Sequence, residues 1–253
     1  MGSRQAAIVV SIVLILSGVP AAASTVGGEP PGLPPPATGL RTDRLSAAQL
    51  RRWKAIVDIV RAEDRHHRPL HPTLRGLFDA IEGGPHTVFI EMPKRASYIA
   101  GSFEVTRIDP DGRAHEGILI LNLRAIDQAS TDPWAARADG FIPFKGLTRT
   151  ERYAEVLGHE LAHAAWHLAS TERARLAHGL EERLEEQARA LMKDRLAGRN
   201  AHSQAWEAYF NRLKREIEEP ADAAERNVWE ELQAAKRERE RTLFDRGEEP
   251  VPD

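Results

Sequence analysis

Helical spacing of apolar residues marks the beginning of the folded region. Between 50 and 60 apolar side chains recur every three or four positions, and Ser46 with Gln49 forms a capping box just before them. The same spacing then continues over a shorter stretch that two glycines end. The pattern predicts one helix over 47–62 and a second over 74–82.

Strand-like patterning is confined to the segment 87–123, which is rich in β-branched residues and in alternating apolar and polar positions. Three runs in it predict strands over 87–91, 97–108 and 116–123. The turn sequence Asp109-Pro-Asp-Gly112 joins the last two runs as a hairpin. We therefore predict a small, mainly antiparallel sheet.

The rest of the chain is predicted to be helical after one long loop. Residues 124–146 show no clear period and contain loop-forming Pro and Gly, so they predict that loop. Thr148 and Glu151 form a second capping box, which begins a helix that ends near Ala169. Three further helices are predicted, over 171–197, 203–218 and 221–244. The fold class expected is α+β.

Two of these later helices carry apolar stripes that can face each other. We predict that they form an antiparallel helical hairpin over 171–218. Pro220 would then begin the final helix, because proline is favoured in the first turn of a helix.

The N-terminus resembles a secretory signal peptide. Arg4 is followed by a short apolar run, and three alanines at 21–23 provide a cleavage site. The run is shorter than the roughly 20 apolar residues that a membrane-spanning helix needs. We therefore expect an exported protein, secreted or periplasmic, that keeps no membrane anchor after cleavage of residues 1–23.

The remaining organisation is simple. We predict a linker over residues 24–43, which are rich in Pro and Gly. A single domain is predicted over 44–245 and an acidic tail over 246–253.

Composition narrows the classes of function. Loss of residues 1–23 removes Arg4 and no acid, so 34 basic and 38 acidic side chains remain and the net charge changes from −3 to −4. This mildly acidic, mixed surface lacks the basic footprint of a nucleic-acid-binding protein. The chain contains no Cys, which excludes disulfides and thiol chemistry.

The segment His159-Glu-Leu-Ala-His163 carries the strongest chemical signal. Residues four apart lie on one face of a helix, so His159 and His163 can direct two imidazoles at one ion. Zinc accepts such ligands and lowers the pKa of a bound water towards 7. Glu160 lies about 100° around the helix, where it can act as general base and then as general acid.

These residues resemble the active-site helix of the zincin metallopeptidases. The resemblance rests on Gly158-His-Glu-Leu-Ala-His-Ala164 after a strand pair. Trp166 and Ala169 stand where the metzincin branch has Gly and His, so the resemblance is to gluzincins. It implies a zincin-type fold, Glu160 as catalytic residue, a third ligand Glu from a later helix, and a strand that binds peptide substrate by edge pairing.

The third metal ligand is the open choice. Glu225 is favoured because it is a single carboxylate on an apolar helix face, where a charge needs a partner. Glu181 and Glu185 are the alternatives, although they belong to a run of alternating charge that is typical of a solvated face. His167 is about 12 Å from His159 along a straight helix, so we interpret it as a packing or supporting residue.

Two functions are expected from different classes. The first is an exported zinc-dependent peptidase acting on a protein or peptide substrate. The second is a degenerate zincin-like interaction protein that acts through its charged helical hairpin. Retention of Glu160 favours the first, because a purely structural zinc site has no use for a general base.

Overall fold

The computed structural model describes residues 38–93, 100–129, 141–171, 173 and 201–246. Within them lie four strands and five helices. The strands are β1 (Gly39–Arg41), β2 (Thr87–Glu91), β3 (Gly101–Ile108) and β4 (Ala114–Leu121). The helices are α1 (Ala47–Val60), α2 (Pro72–Glu82), α3 (Leu123–Ala129), α4 (Arg149–Leu168) and α5 (Ala201–Arg246). The fold is mixed α/β.

The sheet has the strand order β1-β2-β4-β3 and is mixed rather than mainly antiparallel. β3 and β4 are the predicted antiparallel hairpin, and Gly112 adopts a φ of 86° in the turn between them. The pairs β1–β2 and β2–β4, however, are parallel. The prediction of a mainly antiparallel sheet was wrong for two reasons: β1 lies in the segment predicted to be a linker, and β2 pairs with β4 rather than with β3, the next strand in the chain. The crossover from β1 through α1 and α2 to β2 makes that pair parallel.

The first two helices follow the predicted pattern closely. The Ser46–Gln49 capping box is present, with the Ser46 N–H donating to Oε1 of Gln49 at 2.8 Å. α1 ends at Val60, and α2 begins at Pro72 rather than Leu74 because proline fits the first turn.

A short helix, α3, replaces the beginning of the predicted long loop. Oδ1 of the buried Asn122 accepts a hydrogen bond from the N–H of Ala125 at 3.2 Å, which caps the helix. Leu123 and Ile126, which both belong to this helix, are buried. The prediction of a loop was wrong here because a seven-residue helix is too short to show a clear apolar period.

α4 is the central helix of the described fold. Its predicted capping box is present, with Oγ1 of Thr148 accepting from the N–H of Glu151 at 3.4 Å and Oε2 of Glu151 accepting from the N–H of Thr148 at 2.9 Å. The helix packs against β3, β4 and all four other helices. Leu157, Leu161 and Ala164 are completely buried, so α4 carries its motif through the core.

α5 is one continuous helix across Pro220, where two helices were predicted. Proline within a helix removes one backbone hydrogen bond, but the packed face downstream of it stabilises the helix. Ala221, Val228 and Leu232 are completely buried on that face. The predicted helix over 171–197 lies almost wholly outside the described residues, as do the signal peptide, most of the linker and the acidic tail.

Candidate metal centre

His159 and His163 meet on one face of α4. Their Nε2 atoms are 3.0 Å apart and their ring centroids 4.7 Å apart. His163 is buried, and the side chain of His159 is 16 % exposed. The spacing of four residues has thus brought two imidazole nitrogens to one point at the edge of the core.

Glu218 of α5 brings a carboxylate to the same point. Its Oε2 lies 3.6 Å from Nε2 of His163 and 3.8 Å from Nε2 of His159. Tetrahedral zinc with bonds of about 2.1 Å separates its ligand atoms by roughly 3.4 Å. Because the three observed distances bracket that separation, these residues could hold a metal ion together.

Glu225 lies at the other nitrogen of His159. Its Oε2 is 3.2 Å from Nδ1, and Oδ1 of Asp222 is 3.9 Å from the same atom. His159, Asp222 and Glu225 form a second group that could hold a metal ion. The two nitrogens of an imidazole point away from each other, so Glu225 and His163 lie on opposite sides of the His159 ring.

The continuity of α5 explains why Glu218 was not predicted as a candidate ligand. Glu218, Asp222 and Glu225 are four and three residues apart, which places them on one helix face. That spacing was visible in the sequence. Interpreting Pro220 as a helix start assigned Glu218 to a different helix and so concealed it.

Glu160 is a buried carboxylate beside this cluster, with only 4 % of its surface exposed. Burial raises the pKa of Glu160 to about 7, and the neighbouring histidines His159 and His163 oppose the rise. Its Oε2 has no hydrogen-bond partner among the described residues. A carboxyl group that changes its charge near neutral pH is suited to receiving and returning a proton.

His159 is surrounded by negative charge. Burial by itself would lower the pKa of its imidazole, but Glu225, Glu160 and Glu218 outweigh burial and raise that pKa. The site therefore favours a positive charge at this ring. A metal ion at the histidines would satisfy the same carboxylates and would compete with the proton.

His167 supports the site by packing. Its ring stacks on Phe103 at a centroid distance of 6.0 Å and on His163 at 6.2 Å, and Trp166 meets its edge at 4.9 Å. Burial, with a smaller contribution from His163, lowers the pKa of His167 to about 4. The ring is thus neutral and lies in the packing position expected from its distance along the helix.

The alternative ligands Glu181 and Glu185 lie outside the described residues. In the part of the chain that the structure describes, the potential metal ligands around the motif all come from α4 and α5.

Comparisons with protein-family models, curated proteins and solved structures gave no match. The resemblance to zincins thus rests on the motif and its neighbours alone. Among the described helices, none is both long enough and apolar enough to cross a membrane.

Proposed function

We propose that the protein is a zinc-dependent hydrolase, and within that class an exported metallopeptidase. The observation that carries the proposal is the triangle of two histidine nitrogens and one carboxylate oxygen. Beside it lies a buried Glu160 oxygen that has no hydrogen-bond partner within the described part of the chain. A structural zinc site is usually closed by four protein ligands and has no use for a neighbouring proton acceptor. The adjacent proton acceptor favours a reaction at the site.

In this proposal His159, His163 and Glu218 are the zinc ligands. Two imidazoles and one carboxylate form a donor set typical of catalytic zinc, with a fourth position left for water. Glu225, whose Oε2 lies 3.2 Å from Nδ1 of His159, then stabilises that ring electrostatically from the side opposite the metal, in the place where carboxylates commonly support ligand histidines. The 4 % exposure of Glu225 strengthens that contact, because water competes little for it.

Zinc, when bound, would supply a Lewis acid that activates a water and polarises a substrate carbonyl. Glu160 would accept the proton of the attacking water and return it to the leaving amine. The burial that raises its pKa also keeps bulk water away from the carboxylate. The positive charge of the ion would lower that pKa, so that Glu160 is ionised at neutral pH.

A peptide is the substrate class that best fits the strand beside the site. The Ala100 carbonyl accepts from the N–H of Asn122 at 2.9 Å, so the hydrogen-bonding groups of Ala100 face β4. Because these groups alternate along a strand, those of Gly101 and Phe103 face away from β4. No described strand occupies that outer edge. An extended peptide could add there as a further strand.

Glu160→Gln tests the function directly. Wild type and variant are compared for zinc content and for hydrolysis of a denatured protein. We expect the variant to keep its zinc, because no ligand changes, while kcat/KM falls by about 10²- to 10⁴-fold.

Glu230→Gln is the matched control, because Glu230 is exposed on α5. It should behave like wild type in both assays. Undiminished hydrolysis by Glu160→Gln would refute the catalytic role of Glu160. If wild type and both variants bind zinc but none hydrolyses the substrate, the result would instead support the second expected function, a zincin-like interaction protein.

A further inference from the structure

We infer that Gly101 is a positioning residue, which leaves the space that holds the Glu160 carboxylate in its reactive place. This inference rests on the proposed function, because it assigns the contact a role in the chemistry of Glu160. Gly101 begins β3, the strand that packs against α4 beside the motif.

The space at Gly101 is already filled by Glu160. A methyl group at residue 101 would lie 2.5 Å from Oε1, 2.7 Å from Cγ and 2.9 Å from Cδ of Glu160. Non-bonded carbon atoms normally lie about 3.5–4.0 Å apart, so these contacts are too short to exist. Any side chain at residue 101 must therefore displace either the carboxylate or the strand.

The backbone conformation does not explain why residue 101 is glycine. Among the described residues, the glycines with positive φ are Gly39, Gly112 and Gly146, and Gly101 is not one of them. An alanine at residue 101 would be acceptable to the backbone. The contact with Glu160 is what distinguishes this position.

The strand is held more firmly than the carboxylate. β3 pairs with β4 from Gly101 onward, with Gly101 opposite Leu121. Glu160, in contrast, can rotate about its side-chain bonds. We therefore expect a methyl group at residue 101 to turn the carboxylate away.

The same contact distinguishes the two oxygens of Glu160. Oε1 is the atom nearest to the space above Gly101, whereas Oε2 is buried without a hydrogen-bond partner among the described residues. A methyl group at residue 101 would therefore act first on Oε1. Gly101 acts through Glu160 in this arrangement.

A double-mutant cycle tests the inference. Glu160→Asp shortens the side chain by one methylene, roughly 1.5 Å, and so withdraws the carboxylate from residue 101. We expect Gly101→Ala to lower kcat by about 10²-fold in wild type. In the Glu160→Asp background it should lower kcat by less than about threefold, because the two positions are coupled. Zinc content should stay unchanged.

Two glycines provide controls in the same chain. A methyl group at Gly39, on the opposite edge of the sheet, would lie 2.6 Å from the backbone carbonyl oxygen of Glu82 at a φ of 91°, so Gly39→Ala introduces a clash and backbone strain away from Glu160. At Gly76 a methyl group would meet nothing within 4 Å. Both variants should keep the kcat of wild type at a temperature where they are folded.

Two kinetic outcomes would overturn the inference. One is a Gly101→Ala variant with the kcat of wild type. The other is an equal loss of kcat in the wild-type and Glu160→Asp backgrounds, which would mean that Gly101 does not act through Glu160.

Crystal structures of wild type and Gly101→Ala separate this inference from the proposed function. We expect the Glu160 side chain to rotate while β3 keeps its pairing with β4. A shifted strand with an unmoved carboxylate would overturn the inference, even if the protein hydrolyses peptides. A lack of hydrolysis by wild type would refute the proposed function, and the position of Glu160 would still decide the role of Gly101.

Discussion

At the scale of single residues, the carboxylates of α5 divide between the two nitrogens of one imidazole. Glu218 faces Nε2 of His159, together with His163, while Glu225 faces Nδ1. The two positions have different consequences for a metal ion. A carboxylate at Nε2 shares the ion, whereas one at Nδ1 orients the ring and increases its basicity.

Substitution of these carboxylates should therefore affect zinc binding unequally. We expect Glu225→Ala to weaken zinc affinity by about 10- to 100-fold, as for other supporting carboxylates, and Glu218→Ala to weaken it more because a ligand is lost. The absorption spectrum of the cobalt-substituted protein should change only for Glu218→Ala. Competition with a chelator measures the affinities.

The exposed neighbour Glu219 supplies the control, and Glu219→Ala should bind zinc like wild type. A greater loss of affinity in Glu225→Ala than in Glu218→Ala would identify Glu225, rather than Glu218, as the third ligand.

His71 is a second residue whose environment has a measurable effect. It precedes α2, is 2 % exposed, and its Nδ1 has no hydrogen-bond partner among the described residues. Burial is the main reason that its pKa lies below the ordinary 6.5. Arg239 lowers it further and Glu151 opposes the change. His71 is thus held neutral in the folded protein.

This lowered pKa predicts a pH-dependent stability. Above pH 6.5 the His71 ring is neutral in both the folded and the unfolded protein. Below pH 6.5 the ring is protonated more readily in the unfolded chain than in the folded protein. Between pH 7.5 and 5.5, His71 should therefore reduce the free energy of unfolding by up to about 1.4 kcal/mol. In urea unfolding of the zinc-free protein, the fall in the free energy of unfolding from pH 7.5 to 5.5 should be greater in wild type than in His71→Gln by up to this amount, because His159, Glu160 and His167 titrate in both proteins. Equal pH dependence of the two proteins would contradict it.

At the scale of elements, the site depends on how closely α4 and α5 approach. A methyl group at Gly158 of α4 would lie only 2.8 Å from Cγ2 of Val228 of α5. The close approach brings Glu218 within reach of the histidines. The sequence could place Gly158 before the motif, but it could not identify the residue of α5 that would meet it.

Enlarging residue 158 should therefore separate the two helices. We expect Gly158→Ala to lower the free energy of unfolding by about 1–3 kcal/mol, as overpacking commonly does, and to weaken zinc binding. Adding Val228→Ala should recover part of both, because it removes the atom that would clash. Thermal unfolding and zinc titration measure the recovery. If the double variant is no better than Gly158→Ala, the contact with Val228 does not set the separation.

At the scale of the whole molecule, the proposed metal would join two long elements. Its ligands come from α4, in the middle of the core, and from α5, which packs along α4. The ligand set exists only in the folded chain, so metal binding and folding are linked.

Zinc should thus stabilise the folded protein. At a free zinc concentration of 100 times Kd, the free energy of unfolding should rise by about 2.7 kcal/mol. A chelator should reverse the rise, Glu218→Ala should lack it, and Glu230→Gln should retain it. Unfolding in urea with and without zinc measures the difference. An unchanged midpoint in wild type would argue against a site formed by folding.

The sequence by itself determined the local features of this protein. Capping boxes, the β3–β4 turn and the placing of His159 and His163 on one helix face depend on neighbours within four residues, where backbone geometry leaves little choice. Tertiary structure decided the rest. Packing carried α5 through Pro220, the crossover made β1 and β2 parallel, and the approach of separate elements set Glu218 beside the histidines and Gly101 against Glu160. These contacts join residues far apart in the chain, and local patterning does not specify which of them meet.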